Sequence, residues 1–197
     1  MDAGKLSSSI ELLEIEDTPD GCRWTCSAVI WAKAEKKNAR VIYSLIGRGA
    51  DITVLFTIRR RDISRHNAII WQGQHHFICD VAEDGRGHLK ITTVPIDAHD
   101  CIAKITGKPT RNERNNPVPG TVSEHSFPAC VTEKFIGYTE PDPNAVNTVT
   151  LVLITPKRVT LDAGTVVTVT GGEYHITKCH TLDNYENEYE IIRREDL

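Results

Sequence analysis

Aromatic side chains make up only 6% of this sequence, methionine occurs once, and neither sign of charge is in marked excess. Each shortage excludes something. With 23 Lys and Arg against 27 Asp and Glu, a formal charge of -4, the chain lacks the clustered cations from which phosphate-gripping proteins draw their affinity. Scarce aromatics argue against a groove lined with base-stacking rings. No P-loop, G-x-S-x-G, H-E-x-x-H or dinucleotide glycine fingerprint occurs in it, so a non-enzymatic role without a cofactor is expected. The start, Met1-Asp2-Ala3-Gly4-Lys5 and then Ser7-Ser8-Ser9, has no apolar run, and neither a signal peptide nor a membrane span is expected.

Six cysteines are present (Cys22, Cys26, Cys79, Cys101, Cys130, Cys179). Without an export signal their expected state is the reduced thiol. The C-x-x-x-C spacing of Cys22 and Cys26 is not the usual zinc-knuckle spacing and no second pair follows, so buried or half-buried thiols are expected rather than a metal site.

What the sequence does have is strand signal. β-branched residues alternate with polar ones, punctuated by Gly, Asn and Asp, while helical periodicity is scarce. The expected strands lie at 10–15, 24–34, 53–58, 67–78, 89–94, 127–132, 149–155, 166–169, 174–179 and 189–192. Trp24, Cys26, Ala28 and Ile30 are expected on one face. Gln72-Gly73 reads as the turn of a hairpin. The 197 residues accommodate two modules of roughly a hundred residues each. The expected fold is therefore all-β, with two small antiparallel β-barrel or sandwich modules in tandem: the first over residues 1–97, a linker over 98–121 rich in Gly, Pro and Asn, and a second over 122–197.

Two features suggest contact with something else. Between residues 35 and 51 the alternation breaks: Lys36, Lys37, Asn38 and Arg40 precede an apolar run, and Gly47-Arg48-Gly49 leads to Asp51. This is either a functional loop or a short helix or edge strand over the module. The basic run Arg59-Arg60-Arg61, with Arg65, either touches DNA or an acidic partner or is a solvated strand end. His75 and His76 are adjacent on a strand and point to opposite faces, which argues against a shared metal. The two Gly-Arg-Gly runs, at Gly47 and Gly85, read as loop tips rather than phosphate cradles.

The two halves also resemble each other. With Gly171 set on Gly73, residues 52–81 lie on 150–179 without a gap and with six identities, Val54 and Leu55 falling on Val152 and Leu153. A loop two residues longer in the second copy then brings Leu89 and Ile91 onto Tyr189 and Ile191. The order of strands and turns favours a duplication, although period-two patterns match each other by chance.

Several motifs in residues 1–96 are similar to those of a known family. Ala3-Gly4-Lys5-Leu6 runs into a strand at Ile10 and Leu12; Trp24 and Trp31-Ala32 mark a Trp-rich strand; Phe56-Thr57-Ile58-Arg59 is followed by Arg61 and Ile63, a Gly turn at Gly73 and a strand with Ile78. In this series the chain resembles the head-tail joining proteins of tailed bacteriophages, the head-closure or stopper proteins. Ser9 stands where the family often has arginine, and His76 where it often has an aromatic. The resemblance implies a small β-barrel that forms a homo-oligomeric ring in the virion neck, made in the host cytoplasm. Its partners would be portal or adaptor ring proteins on one side and tail terminator or tail tube proteins on the other. The same resemblance implies a loop, by position residues 35–51, that reaches the channel and touches packaged DNA transiently. The competing expectations are an OB-like nucleic-acid-binding barrel and another tail or neck completion protein.

Overall fold

The structure, a computed structural model, describes residues 6–38, 52–85, 87–106, 110–118, 120–135, 149–181 and 186–196. Among them the secondary structure is β throughout, apart from a 3-10 turn at Arg194–Asp196. No helix among the described residues is long and apolar enough to cross a membrane.

The first six strands are β1 (Ser8–Thr18), β2 (Gly21–Asn38), β3 (Ile52–Arg59), β4 (His66–Trp71), β5 (Gln74–Glu83) and β6 (His88–Ile96). They pair antiparallel in the order β1-β2-β3-β6-β5-β4, and β4 pairs back onto β1. This closes a six-stranded barrel and removes every free sheet edge. Inward positions alternate along each strand and are apolar: Ile10, Leu12, Ala32, Phe56, Ile69, Ile78 and Ile91 are fully buried.

Strand β7 (His99–Thr106) follows after only Asp97 and Ala98, and a small hairpin of β8 (Thr110–Arg111) and β9 (Pro117–Val118) precedes β10 (Val122–Phe135). Then come β11 (Val149–Pro156), β12 (Val166–Val169), β13 (Gly172–Thr181) and β14 (Glu186–Arg193). The order β7-β10-β11-β14-β13-β12, closed by β12 on β7, is the same circuit again. Cys101, Ala103, Phe127, Ala129, Leu153, Val167, Ile176, Tyr189 and Ile191 fill this second interior.

The likeness extends to irregularities. Gln72 and Gly73 have φ of 53° and 77°, and Thr170 and Gly171 have 46° and 83°, so both β4–β5 and β12–β13 turn through two left-handed residues as tight hairpins do. A bulge interrupts β5 between Ile78 and Asp80, and another interrupts β13 between Ile176 and Lys178, 98 positions on in each case.

Three expectations are corrected. The segment taken as a linker, 98–121, carries a barrel strand, since Cys101 and Ala103 of β7 are fully buried. Its Asn-rich part is an ordered turn: the Asn112 carboxamide oxygen accepts from the backbone N–H of Arg114 at 3.0 Å and of Asn116 at 2.9 Å, the local closure that asparagine offers. The gapless alignment slips by one residue in β11. Phe56 pairs with Ile91 and Leu153 with Tyr189, so Leu153 corresponds to inward Phe56 rather than half-buried Leu55. A slip of one moves a whole strand's side chains to the other face; the second copy has one extra residue in the connection after β11 and none in the loop before β14, where the alignment had put two, so Tyr189 corresponds to Ile91 and not to Leu89. Finally, a bulge at Ser27, where Leu12 pairs with Ala28 and Leu13 with Cys26, splits the expected face of β2.

That split lets β2 serve both barrels. Beyond the bulge, Ile30 and Ala34 pack on the first core. Before it, Cys22 packs on the second core, and Trp24 joins Phe77, Ile96, Cys130, Ile154 and Ala98 in a cluster between the barrels. The Trp24 ring stacks on His75 at 5.4 Å and its indole N–H donates to Asn67 Oδ1 at 3.2 Å. Gly21 pairs with Ser126 of β10, and the Ser126 N–H donates to the Asp20 carbonyl at 2.7 Å. An ion pair between Arg158 and Asp17 spans the same junction.

Candidate contact surface and barrel mouth

On β2, Val29 and Trp31 lie in outward register between the inward Ile30 and Ala32, and each is 63% exposed. They are the two most exposed large apolar side chains of the described residues. Trp31 and Arg59 are the next positions beyond the Ala32–Ile58 pair, so the indole lies beside the end of β3. With Arg61, Ile30 and Leu6 they line an open groove of about 560 Å³. Across β2 on the other side, Glu11 of β1 pairs with Val29 and Ser9 with Trp31.

The four-arginine candidate divides three ways. Arg59 and Arg61 face this groove. Arg60 turns away, pairs with Glu83 at 2.9 Å, and its backbone N–H donates to the Gly87 carbonyl at 2.8 Å. Arg65 emerges elsewhere, into an open cleft at the junction that it shares with Glu14, Glu16, Asn67, Lys157 and Arg158. The turn before it is fixed by the Asp62 carboxylate, which accepts from the Ser64 N–H at 2.9 Å and is held below its ordinary pKa by that bond. Alternation along the chain and the bend at Arg60 explain the division.

Of the 35–51 candidates, Lys36, Lys37 and Asn38 belong to the end of β2, which runs on to pair with β3 as far as Ile52. Arg40, Arg48 and Asp51 lie outside the described residues. Lys36 continues the inward parity of Ala32 and Ala34 and closes over the barrel mouth, its ammonium 5.4 Å from the centre of the Trp71 ring. Below it sits His76, 2% exposed, edge-on to Phe56 at 5.8 Å and with Nδ1 3.4 Å from the Thr93 hydroxyl. Burial first, then the positive neighbours His75 and Lys36, lower its pKa from 6.5 to about 4. His75 faces the junction on the opposite side, as strand alternation requires.

In the second barrel the connection after β11 is clasped by polar groups that the sequence did not single out. Tyr189 donates its hydroxyl to the Val159 carbonyl at 2.9 Å and accepts from the Leu161 N–H at 3.1 Å, while Asn187 donates to Lys157 and Val159 carbonyls at 2.9 Å. Ser27 Oγ and His66 Nε2 lie 2.7 Å apart, and His66 Nδ1 has no partner among the described residues. No group of three or more His, Cys, Asp or Glu able to hold a metal occurs among the described residues. No disulfide joins their cysteines, and burial raises the Cys101 thiol to about 12.

These features define an all-β protein of two closed barrels whose accessible groups suit contact. Comparison with protein-family models, curated proteins and solved structures found no match.

Proposed function

We propose that this chain is a structural protein of a tailed-bacteriophage neck, a ring component that closes the DNA-filled head and joins it to the tail. The observation that carries the reading is the groove of Val29, Trp31, Arg59 and Arg61 on the wall of a closed barrel. Tryptophan and arginine are the side chains that dominate protein interfaces, and a barrel wall holds them in place. The ordered sequence motifs of the first barrel support the same reading. Copies of the chain would close into a ring by rotation through other faces of the barrels, leaving this groove to portal or adaptor proteins above or to tail terminator or tail tube proteins below. Lys36 and Lys37 at the barrel mouth belong to residues 35–51, the segment to which the resemblance assigns transient contact with packaged DNA. A net charge of -4 lets DNA pass without being held.

Electron microscopy of the purified chain, alone and mixed with a tailed-phage portal protein, tests the proposal. Closed rings, or decoration of the portal ring, are expected; a chain that forms neither overturns it. The Trp31 ring beside two arginines also favours single-strand stacking. Tight, salt-sensitive binding of a labelled oligonucleotide, abolished by Trp31→Ala, would replace the neck reading with the OB-like one.

A further inference from the structure

We infer that the outer wall of the first barrel is a self-complementary surface through which two copies of this chain associate about a two-fold axis running along β2. The inference rests on the wall itself and not on the neck reading.

Charge is distributed across that wall in one direction. Glu11 on β1 is on one side, Val29 and Trp31 on β2 form the middle, and Arg59 and Arg61 at the end of β3 are on the other. Glu11 and Val29 are a paired row, and Ser9 and Trp31 the next. Among the described residues neither Arg59 nor Arg61 meets a carboxylate, whereas Arg60 between them pairs with Glu83 on another side of the barrel. An apolar strip with an acid along one margin and two arginines without a described ion pair along the other suits an occupant of the reverse pattern.

The same wall supplies it. A two-fold axis parallel to β2 places β1 of one copy opposite β3 of the other, so each Glu11 faces the partner copy's arginine margin while the two Val29–Trp31 strips meet. This is the isologous arrangement, in which one contact is made twice. An axis across the strands would set β1 on β1 and like charge on like, so the charge pattern selects one orientation. The strip is small beside the roughly 800 Å² per partner of a standard stable interface. The association is therefore expected to be weak, appearing as a monomer–dimer equilibrium at high protein concentration.

Sedimentation equilibrium of the full chain over a wide concentration range tests this. The wild type is expected to fit monomer and dimer. Glu11→Arg alone, and Arg59→Glu with Arg61→Glu, should each weaken dimerisation at least about tenfold. The triple reversal should restore it, because the margins exchange sign together, and Trp31→Ala should abolish it. Restoration excludes misfolding as the cause of the losses. A wild type that stays monomeric, or a dimer indifferent to the Trp31 and charge substitutions, overturns the inference. Rings that persist in every variant also overturn it, while leaving the neck reading standing.

Discussion

His76 occupies the interior of the first barrel and, among the described residues, Nε2 has no partner and Nδ1 reaches only the Thr93 hydroxyl. A neutral imidazole is tolerated there among Phe56 and Trp71; a charged one is not. Since its folded-state pKa is lowered from 6.5 to about 4, the unfolded chain binds the proton first as pH falls. The stability contributed by neutral His76 is complete above pH 6.5 and is lost as pH falls from 6.5 towards 4, by roughly 3 kcal/mol at most. Urea denaturation at pH 7 and pH 4.5 checks this. His76→Phe should lose about 2 kcal/mol less than the wild type between the two, and equal losses would refute the assignment. The sequence identified His76 as a departure from an aromatic position, and its alternation with His75 was legible. That it would be buried beneath Lys36 was not, because the barrel mouth is formed by strands far apart in the chain.

Among the elements, the two hairpins differ in how well their residues suit one geometry. Gly73 and Gly171 take positive φ without strain, and Gln72 accepts it at modest cost; Thr170, branched at Cβ, holds φ of 46° against its preference. Thr170→Asn should stabilise the protein by about 0.5–1 kcal/mol, since asparagine favours this position. A midpoint of chemical denaturation that does not rise would show that the turn is not strained. The Gln72-Gly73 turn and most strands could be read from the sequence because long β-branched runs and Gly punctuation are local signals. Strand β7 could not. Its inward side chains are the small Cys101 and Ala103 while Ile102 points outward, so the apolar alternation that marks a strand is inverted, and the following Gly107, Lys108 and Pro109 imitate a linker. The one-residue slip in β11 escaped for a related reason: Val152 and Leu153 match Val54 and Leu55 as well as any neighbouring register, and only the pairing with β14 decides.

At the scale of the molecule, the junction depends on one position that has no side chain. A Cβ on Gly21, whose φ is 142°, would lie 2.0 Å from the Ser126 carbonyl oxygen and 2.6 Å from its nitrogen. Both are backbone atoms that cannot rotate aside. Gly21→Ala is therefore expected to lower stability by about 2–4 kcal/mol. It should also separate the barrels into two calorimetric transitions, where the wild type unfolds in one. An unchanged single transition would mean that the Trp24 cluster alone couples them. Nothing in the sequence marks Gly21 as more than a turn residue, since its neighbour across the junction is 105 positions away.

The length of β2 gives that junction a mechanical meaning. Eighteen residues run without interruption from Gly21, against Ser126, to Asn38, beside Ile52. At about 3.3 Å per residue such a strand reaches at most about 60 Å. One stave of the first barrel is thus also a splint laid across to the second. A load applied where Lys36 and Lys37 leave the barrel mouth would be borne along a single hydrogen-bonded strand instead of a hinge, and any yielding should begin at its one irregularity, the bulge at Ser27.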